Sequence, residues 1–290
     1  MTFQRRNAYL TFDCEWCDNI IGTSPRRDAR EIYLLREGLL RFLEICKKRK
    51  HSGTIFVTAD VVSVVKDQLH LAIDQGFRIG NHSLNHSSVA EMTLRAFRED
   101  LHQSTLIIED AIGCNIDSYR APSFSMPISL SYYEIMRNLG YQYDFSAAIG
   151  RHQSSFGCSI DDILNIHAAD MGIKLIPTVG IGRSRSMFLG GGYFRAFSAS
   201  KLMKAAQETS DSLPHCLYLH PRDMLRFYFP RNTLSLKKFL KSAIGGPLPI
   251  EKLSELFDAL TLLSLDECVD LWEAAFGEMR ENKSQDLKGG

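Results

Sequence analysis

Apolar and polar positions along this chain alternate between two periods. Residues 7–12 form a nearly continuous apolar run, the pattern of a strand buried on both faces. From 30 to 50 the apolar residues Ile32, Leu35, Leu39, Leu40, Leu43 and Cys46 recur at helical spacing. A strand is predicted at 54–57, then a helix at 60–75 stopped by Gly76. A short strand at 78–79 leads into a histidine-bearing loop. A helix at 93–112 closed by Gly113, a strand at 118–119, a helix at 128–139 closed by Gly140 and a strand at 141–144 follow. The pattern weakens between 147 and 172, which reads as an active-site loop. Beyond it, strands are predicted at 174–179 and 216–219, and helices at 250–260 and 266–281. The polar end, 283–290, predicts a disordered tail.

Such alternation of strand and helix predicts an α/β fold around a parallel sheet, open or closed into a barrel. There is no internal repeat and no linker composition, so 1–282 reads as one domain. In either form reactive side chains gather at the C-terminal strand ends. Asp13, the His82/His86 pair, Arg120 and Asp144 all fall there. The run Gly190-Gly191-Gly192 lacks the spacing and the Lys-Ser/Thr partner of a phosphate cradle, and predicts a tight turn with close backbone approach.

The candidate chemistry begins at Asn81-His82-Ser83-Leu84-Asn85-His86. Residues four apart share one face of a helical turn, so both imidazoles can meet one divalent ion. A hydrolytic metal site adds a carboxylate and an open position. The carboxylate candidates follow the first strand, in Asp13-Cys14-Glu15-Trp16. Along a strand 13 and 15 face the same way and 14 the other. Each residue has a plainer alternative. The histidines can cap a neighbouring helix, Arg120 can form a surface ion pair, and Asp144 can be a turn residue. Trp16, Tyr143, Phe145 and Phe156 suit a core as well as a stacking platform for a ligand, and His152 and His167 suit loops.

Composition narrows the function. Lys plus Arg equals Asp plus Glu, 34 against 34, so no global field draws the chain to nucleic acid or anionic lipid. With 44% apolar residues it can bury a substantial core. No apolar run approaches the roughly 20 residues that span a bilayer, and the first strand starts at Asn7, which leaves no room for a secretory signal. Seven scattered cysteines argue against a disulfide framework. The expectation is a reduced, cytoplasmic protein. Cys14-Glu15-Trp16-Cys17 spells a CxxC, but no second pair completes a structural zinc site, and a redox fold would be far shorter.

Taken in order, five segments resemble the motifs of the polysaccharide deacetylases of the NodB-homology, carbohydrate esterase family 4 type. They are Thr11-Phe12-Asp13, His82 to His86, Arg120-Ala121-Pro122, Tyr143-Asp144-Phe145-Ser146 and Leu219-His220-Pro221. Within that group the chain most resembles the subset found with bacterial exopolysaccharide and surface-glycan biosynthesis. The resemblance implies a single distorted (β/α) TIM-like barrel and a divalent metal, zinc foremost, held by His82, His86 and a carboxylate. The first motif departs from the family, which has two adjacent aspartates where this chain has Asp13 and Cys14. Glu15 is then assigned as ligand and Asp13 as base, with the swapped assignment open.

The implied reaction is hydrolysis of the N-acetyl group of an amino sugar in a surface polysaccharide or its precursor. Asp13 takes a proton from water, Arg120 holds Asp13 ionised, and His220 protonates the departing amine. Asp144 orients Arg120 or His220, and backbone N–H groups at 144–146 receive the oxyanion. The alternatives are a hydrolase of another small amide, an N-formyl sugar or cyclic ureide, and a catalytically silent glycan-binding relative. The oligomeric state is open.

Overall fold

The computed structural model describes residues 5–17, 27–150, 159–209, 213–225 and 250–289. At its centre lies β1 (Arg6–Cys14), buried from Ala8 onward because it has a neighbour on each flank. One neighbour is β2 (Thr54–Val57), the other β9 (His215–Leu219), both parallel to it. The sheet continues through β3 (Arg78–Asn81), β4 (Ser118–Tyr119), β5 (Tyr143–Asp144) and β7 (Lys174–Leu175), every pairing parallel. β10 (Leu260–Leu262) lies along the start of β1. β6 (Ala148–Ile149) and β8 (Thr178–Val179) pair with each other.

Parallel strands require crossovers, and helices supply most of them. The helices are α1 (Ala29–Arg49), α2 (Ala59–Asp74), α3 (Leu94–Ile112), α4 (Leu130–Asn138), α5 (Ile160–Ala168), α6 (Gly191–Ala196), α7 (Ala199–Gln207), α8 (Pro221–Met224), α9 (Ile250–Ala259) and, after the last strand, α10 (Leu265–Gly289). The result is a curled parallel sheet wrapped by helices, a distorted (β/α) half-barrel as expected.

Strand alternation divides the core in two. Ala8, Leu10, Phe12 and Cys14 face α1 and join Leu35, Leu39 and Phe42 in an outer layer. Tyr9 faces inward with Phe56, Tyr119 and Phe145, and α10 adds Cys268, Trp272 and Phe276 to this inner cluster. Local signals set the helix ends. Asp28 accepts the N–H groups of Arg30 and Glu31 at the start of α1, whose last turn carries Lys47, Lys48 and Arg49 toward the negative end of the helix dipole. Gly113 ends α3 at φ 73, a left-handed conformation that costs glycine nothing.

Three expectations are corrected. The segment 147–172 is more than a loop, since it contains β6 and α5. The latter starts in a reciprocal capping box between Ser159 and Asp162, a pattern present in the sequence. The single strand at 174–179 is two strands, because Pro177 has no N–H to continue the ladder. The chain passes from β5, where the Ile176 N–H reaches the Asp144 carbonyl, to β6, where Thr178 N–H reaches Ala147. The disordered tail is in fact the end of α10, since no Gly or Pro interrupts 278–288. His152 and Phe156 lie outside the described residues. Among those described, no helix is long and apolar enough to cross a membrane.

Candidate active site

Parallel register sets the site. Cys14 pairs with Val57, Val57 with Asn81, Asn81 with Tyr119 and Tyr119 with Asp144, so the strands end in one level row. One residue further on, three of them carry Glu15, His82 and Arg120. On the other flank of β1, Phe12 pairs with Leu219, which sets Asp13 and His220 at one height. Asp13 and Glu15 both turn to the interior, as strand alternation requires. Their carboxylates lie 4.0 and 3.8 Å from His220 Nε2.

The two loop histidines do not share a helical turn, contrary to the spacing argument. Ser83 (φ 74) and His86 (φ 62) are both left-handed. Side-chain acceptors capture the backbone in place of a helix: Asn81 Oδ1 takes the Ser83 N–H at 2.8 Å and Ser83 Oγ takes the His86 N–H at 2.9 Å. The Leu84 N–H reaches Asp100 at 3.2 Å. The Ser83 and Leu84 carbonyls accept the first N–H groups of α2, which fixes the loop to that helix. The rings still meet, edge to face, with centroids 5.2 Å apart.

One ligand atom each from Glu15, His82 and His86 lies within 4.8 Å of the others. His82 Nδ1 donates to the Arg120 carbonyl at 2.7 Å, which fixes the tautomer and frees the Nε2 lone pair. Burial pushes its pKa down to about 4, so the ring is neutral imidazole, the metal-binding form. His86 Nε2 stands 2.8 Å from Glu15 Oε2, yet the alignment leaves that buried oxygen without a hydrogen bond. Two ligands each about 2.0–2.2 Å from one tetrahedral zinc ion stand roughly 3.3–3.6 Å apart, so this pair need part by only about half an ångström to take an ion. Burial disfavours charge on both groups. Mutual attraction outweighs it, holding Glu15 below and His86 above the ordinary value. Two imidazoles and one buried carboxylate fit a divalent cation.

Beside this cluster Arg120 is buried and forked. One nitrogen donates to Asp13 Oδ1 at 2.6 Å and to Thr11 Oγ1 at 2.9 Å, and the other to Cys216 Sγ at 3.0 Å. Its Cζ lies 4.4 Å from the Phe56 ring centroid. Burial would push the Asp13 carboxyl up, but Arg120, then His82 and His220, hold it below the usual carboxylate range. Arg120 is therefore no surface ion pair. On the opposite side His220 donates its backbone N–H to Asp223 Oδ2 at 2.9 Å and its Nδ1 to the same oxygen at 3.0 Å. Burial lowers the His220 pKa, and Asp223 more than reverses that, so its proton is held above the ordinary histidine value.

Asp144 does not reach either partner assigned to it. It accepts from Tyr133 Oη and from the Ser146 N–H, both at 3.0 Å, and burial pushes its pKa up to about 6. Ser146 Oγ in turn takes the Ala121 N–H at 2.8 Å. The backbone donors expected to receive an oxyanion are thus committed, since Phe145 N–H also bonds the Tyr119 carbonyl. Trp16 and Phe145 are buried core, and His167 bonds Glu273. Cys14 and Cys17 are buried free thiols, with Cys17 pushed up to about 12 by burial, which suits packing and not redox exchange. Sequence reasoning missed Asp223 and Arg195, whose Nε lies 2.9 Å from Asp223 Oδ1. The capping-box spacing of Asp223 after His220 was a usable signal; Arg195 had none.

Residues 1–143 match the polysaccharide deacetylase family model, a stretch holding Asp13, Glu15, His82, His86 and Arg120. The N-terminal part of the chain is therefore similar to a polysaccharide deacetylase domain, and the chain spans well under two thirds of the curated relative it matches. It is 26% identical over 123 residues to the peptidoglycan deacetylase of Helicobacter pylori, which spans 42% of this chain and 41% of the relative. A proposed polysaccharide deacetylase from Mycobacterium smegmatis superimposes with TM-score 0.59 at 14% identity, over 95% of this chain and 92% of that one. A family 4 carbohydrate esterase from Streptomyces lividans gives TM-score 0.46 at 12% identity, over 90% and 93%.

Proposed function

We propose that this chain is a divalent-metal-dependent deacetylase that removes the N-acetyl group from an amino sugar of a bacterial surface polysaccharide or its precursor. The observation that carries this is the convergence of Glu15, His82 and His86 beside a paired Asp13 and a proton-holding His220. Glu15, His82 and His86 hold the metal, with zinc favoured by two imidazoles and one carboxylate. Bound there, it supplies Lewis acidity toward the amide carbonyl and toward water. Asp13 Oδ2, free of Arg120, accepts the proton of the attacking water. Arg120 fixes the orientation of Asp13 and keeps it ionised at neutral pH. His220 Nε2 gives its proton to the nitrogen as the C–N bond breaks. The products are a free amine and acetate. Asp144 serves the site indirectly, holding Ser146 and through it the Ala121 backbone beside Arg120.

The Helicobacter relative, called a peptidoglycan deacetylase, supports an N-acetylated glycan as substrate. Free thiols at Cys14, Cys17, Cys46, Cys114, Cys216 and Cys268 support a reducing compartment such as the cytoplasm. The deciding experiment measures acetate release from N-acetylglucosamine oligomers by the zinc-loaded chain, with Asp13→Asn and Glu15→Gln beside it. Asp13→Asn keeps zinc and loses turnover by about 10²–10⁴-fold, whereas Glu15→Gln loses zinc. The reverse pattern swaps the two roles. Formate release from N-formyl sugars without acetate release would move the substrate, and zinc binding with neither product would leave a silent glycan binder.

A further inference from the structure

Asp223 divides its two oxygens between different elements. Oδ2 takes both donors of His220, and Oδ1 faces the Nε of Arg195 at 2.9 Å in an ion pair that is not aligned as a hydrogen bond, with the two side chains only 0% and 8% exposed. Arg195 lies on α6, directly after the glycine run, and that run packs on the same histidine. A Cβ on Gly191 would stand 3.2 Å from His220 Cε1, and one on Gly190 would enter the Tyr218 ring. Tyr218 meets His220 edge-on, with centroids 5.8 Å apart. The segment 190–196 therefore touches the ring through its backbone and the carboxylate through its guanidinium.

His220 holds Oδ2 through two hydrogen bonds, and Arg195 is the cation set against the other oxygen, Oδ1. We propose that Arg195 is a positioning residue for the leaving-group acid: it locks Asp223, and Asp223 locks the His220 ring with Nε2 toward the departing nitrogen. The proposal rests on the deacetylase reading of His220. Arg195 itself touches no reacting atom. Its loss leaves Asp223 near a second cation, Arg222, so the carboxylate remains charged and bonded to His220 through Oδ2 while Oδ1 loses its restraint.

An amide leaves only if its nitrogen is protonated as the C–N bond breaks, whereas p-nitrophenolate leaves an acetate ester without a proton. Loosening the acid therefore separates the two substrates, and general loss of structure does not. The test compares Arg195→Met and Arg195→Lys in the zinc-loaded chain, with N-acetylglucosamine tetramer and p-nitrophenyl acetate as probes. Arg195→Met is expected to lower amide kcat by about 10–100-fold, short of the 10²–10⁴-fold cost of removing an acid. KM and zinc content stay unchanged, ester turnover falls far less, and Arg195→Lys recovers most of the loss. Equal losses on both probes, or undiminished amide turnover, overturn the proposal. If the wild-type chain hydrolyses neither probe, the deacetylase reading fails and the brace is read by NMR. The His220 Nδ1–H resonance, far downfield against Asp223, moves in Arg195→Met if the brace exists and stays put if it does not.

Discussion

Replacing Asp144 by Asn should make this protein more stable at neutral pH, and the gain should vanish in acid. Burial pushes the Asp144 pKa from 3.8 to about 6 against the pull of Ser146, Tyr133 and Arg120. The shift is just over two units, and at about 1.4 kcal/mol per unit it makes the ionised form roughly 3 kcal/mol less compatible with the fold. The sign follows from proton counting. Between the unfolded and folded values the native state binds more protons than the unfolded one, so stability falls as pH rises from about 4 to about 6. Above 6 the whole penalty is present, and below 3.8 none of it is. Asn cannot ionise and keeps an oxygen for the Ser146 N–H, while an imperfect fit to Tyr133 costs about 1 kcal/mol. Asp144→Asn should therefore be about 2 kcal/mol more stable than wild type at pH 7 and slightly less stable at pH 3.5. Urea unfolding of both proteins at half-unit intervals from pH 3.5 to 7 measures the difference, with the other titrating groups common to both. A difference that is flat across this range, or that grows in favour of wild type, would mean that a cation holds Asp144 ionised. Amide turnover of the variant should stay within a few-fold of wild type, and a loss of the size an acid or base gives would restore the catalytic assignment.

His82→Ala and His86→Ala should each abolish zinc retention, measured by plasma emission, with the loop still held through Asn81, Ser83 and Asp100. Thermal unfolding should be little changed in His82→Ala but lowered in His86→Ala, which leaves Glu15 buried without its partner. Zinc at wild-type stoichiometry in both would remove the metal site. Arg120→Met should cost about 3–5 kcal/mol by leaving Asp13 buried and unpaired, and adding Asp13→Asn should recover part of that. Additive losses in urea unfolding would show that the pair is uncoupled. Gly190→Ala should cost about 1–3 kcal/mol by overpacking against the Tyr218 ring, while Gly192→Ala, with only the end of Arg195 at 3.7 Å, should be tolerated; thermal unfolding of the two separates them.

Most of the barrel was legible because its strands are apolar on both faces and its helices carry an amphipathic stripe. Those patterns depend on local spacing alone. Legibility failed at α5, whose stripe is short and diluted by Asp161, Asp162 and Asn165. It failed again at Pro177, where a continuous apolar run conceals a change of strand partner. The histidine loop was misjudged for another reason. Four-residue spacing suits a helix, but Asn81, Ser83 and Asp100 offered the backbone better acceptors.

By itself the sequence determined the alternation of strands and helices, the strand ends as the place for chemistry, and the inward turn of Asp13 and Glu15 together. Each follows from periods along one stretch of chain. Tertiary structure alone decided which acid faces which partner: Glu15 meets His86, and Asp13 meets Arg120. It alone withdrew Asp144 to Tyr133 and Ser146, and brought Arg195 to Asp223 across a gap of 28 residues. Those pairings depend on the parallel register of strands far apart in sequence and on a low-dielectric interior that forces every buried charge to find a partner. No local pattern encodes either.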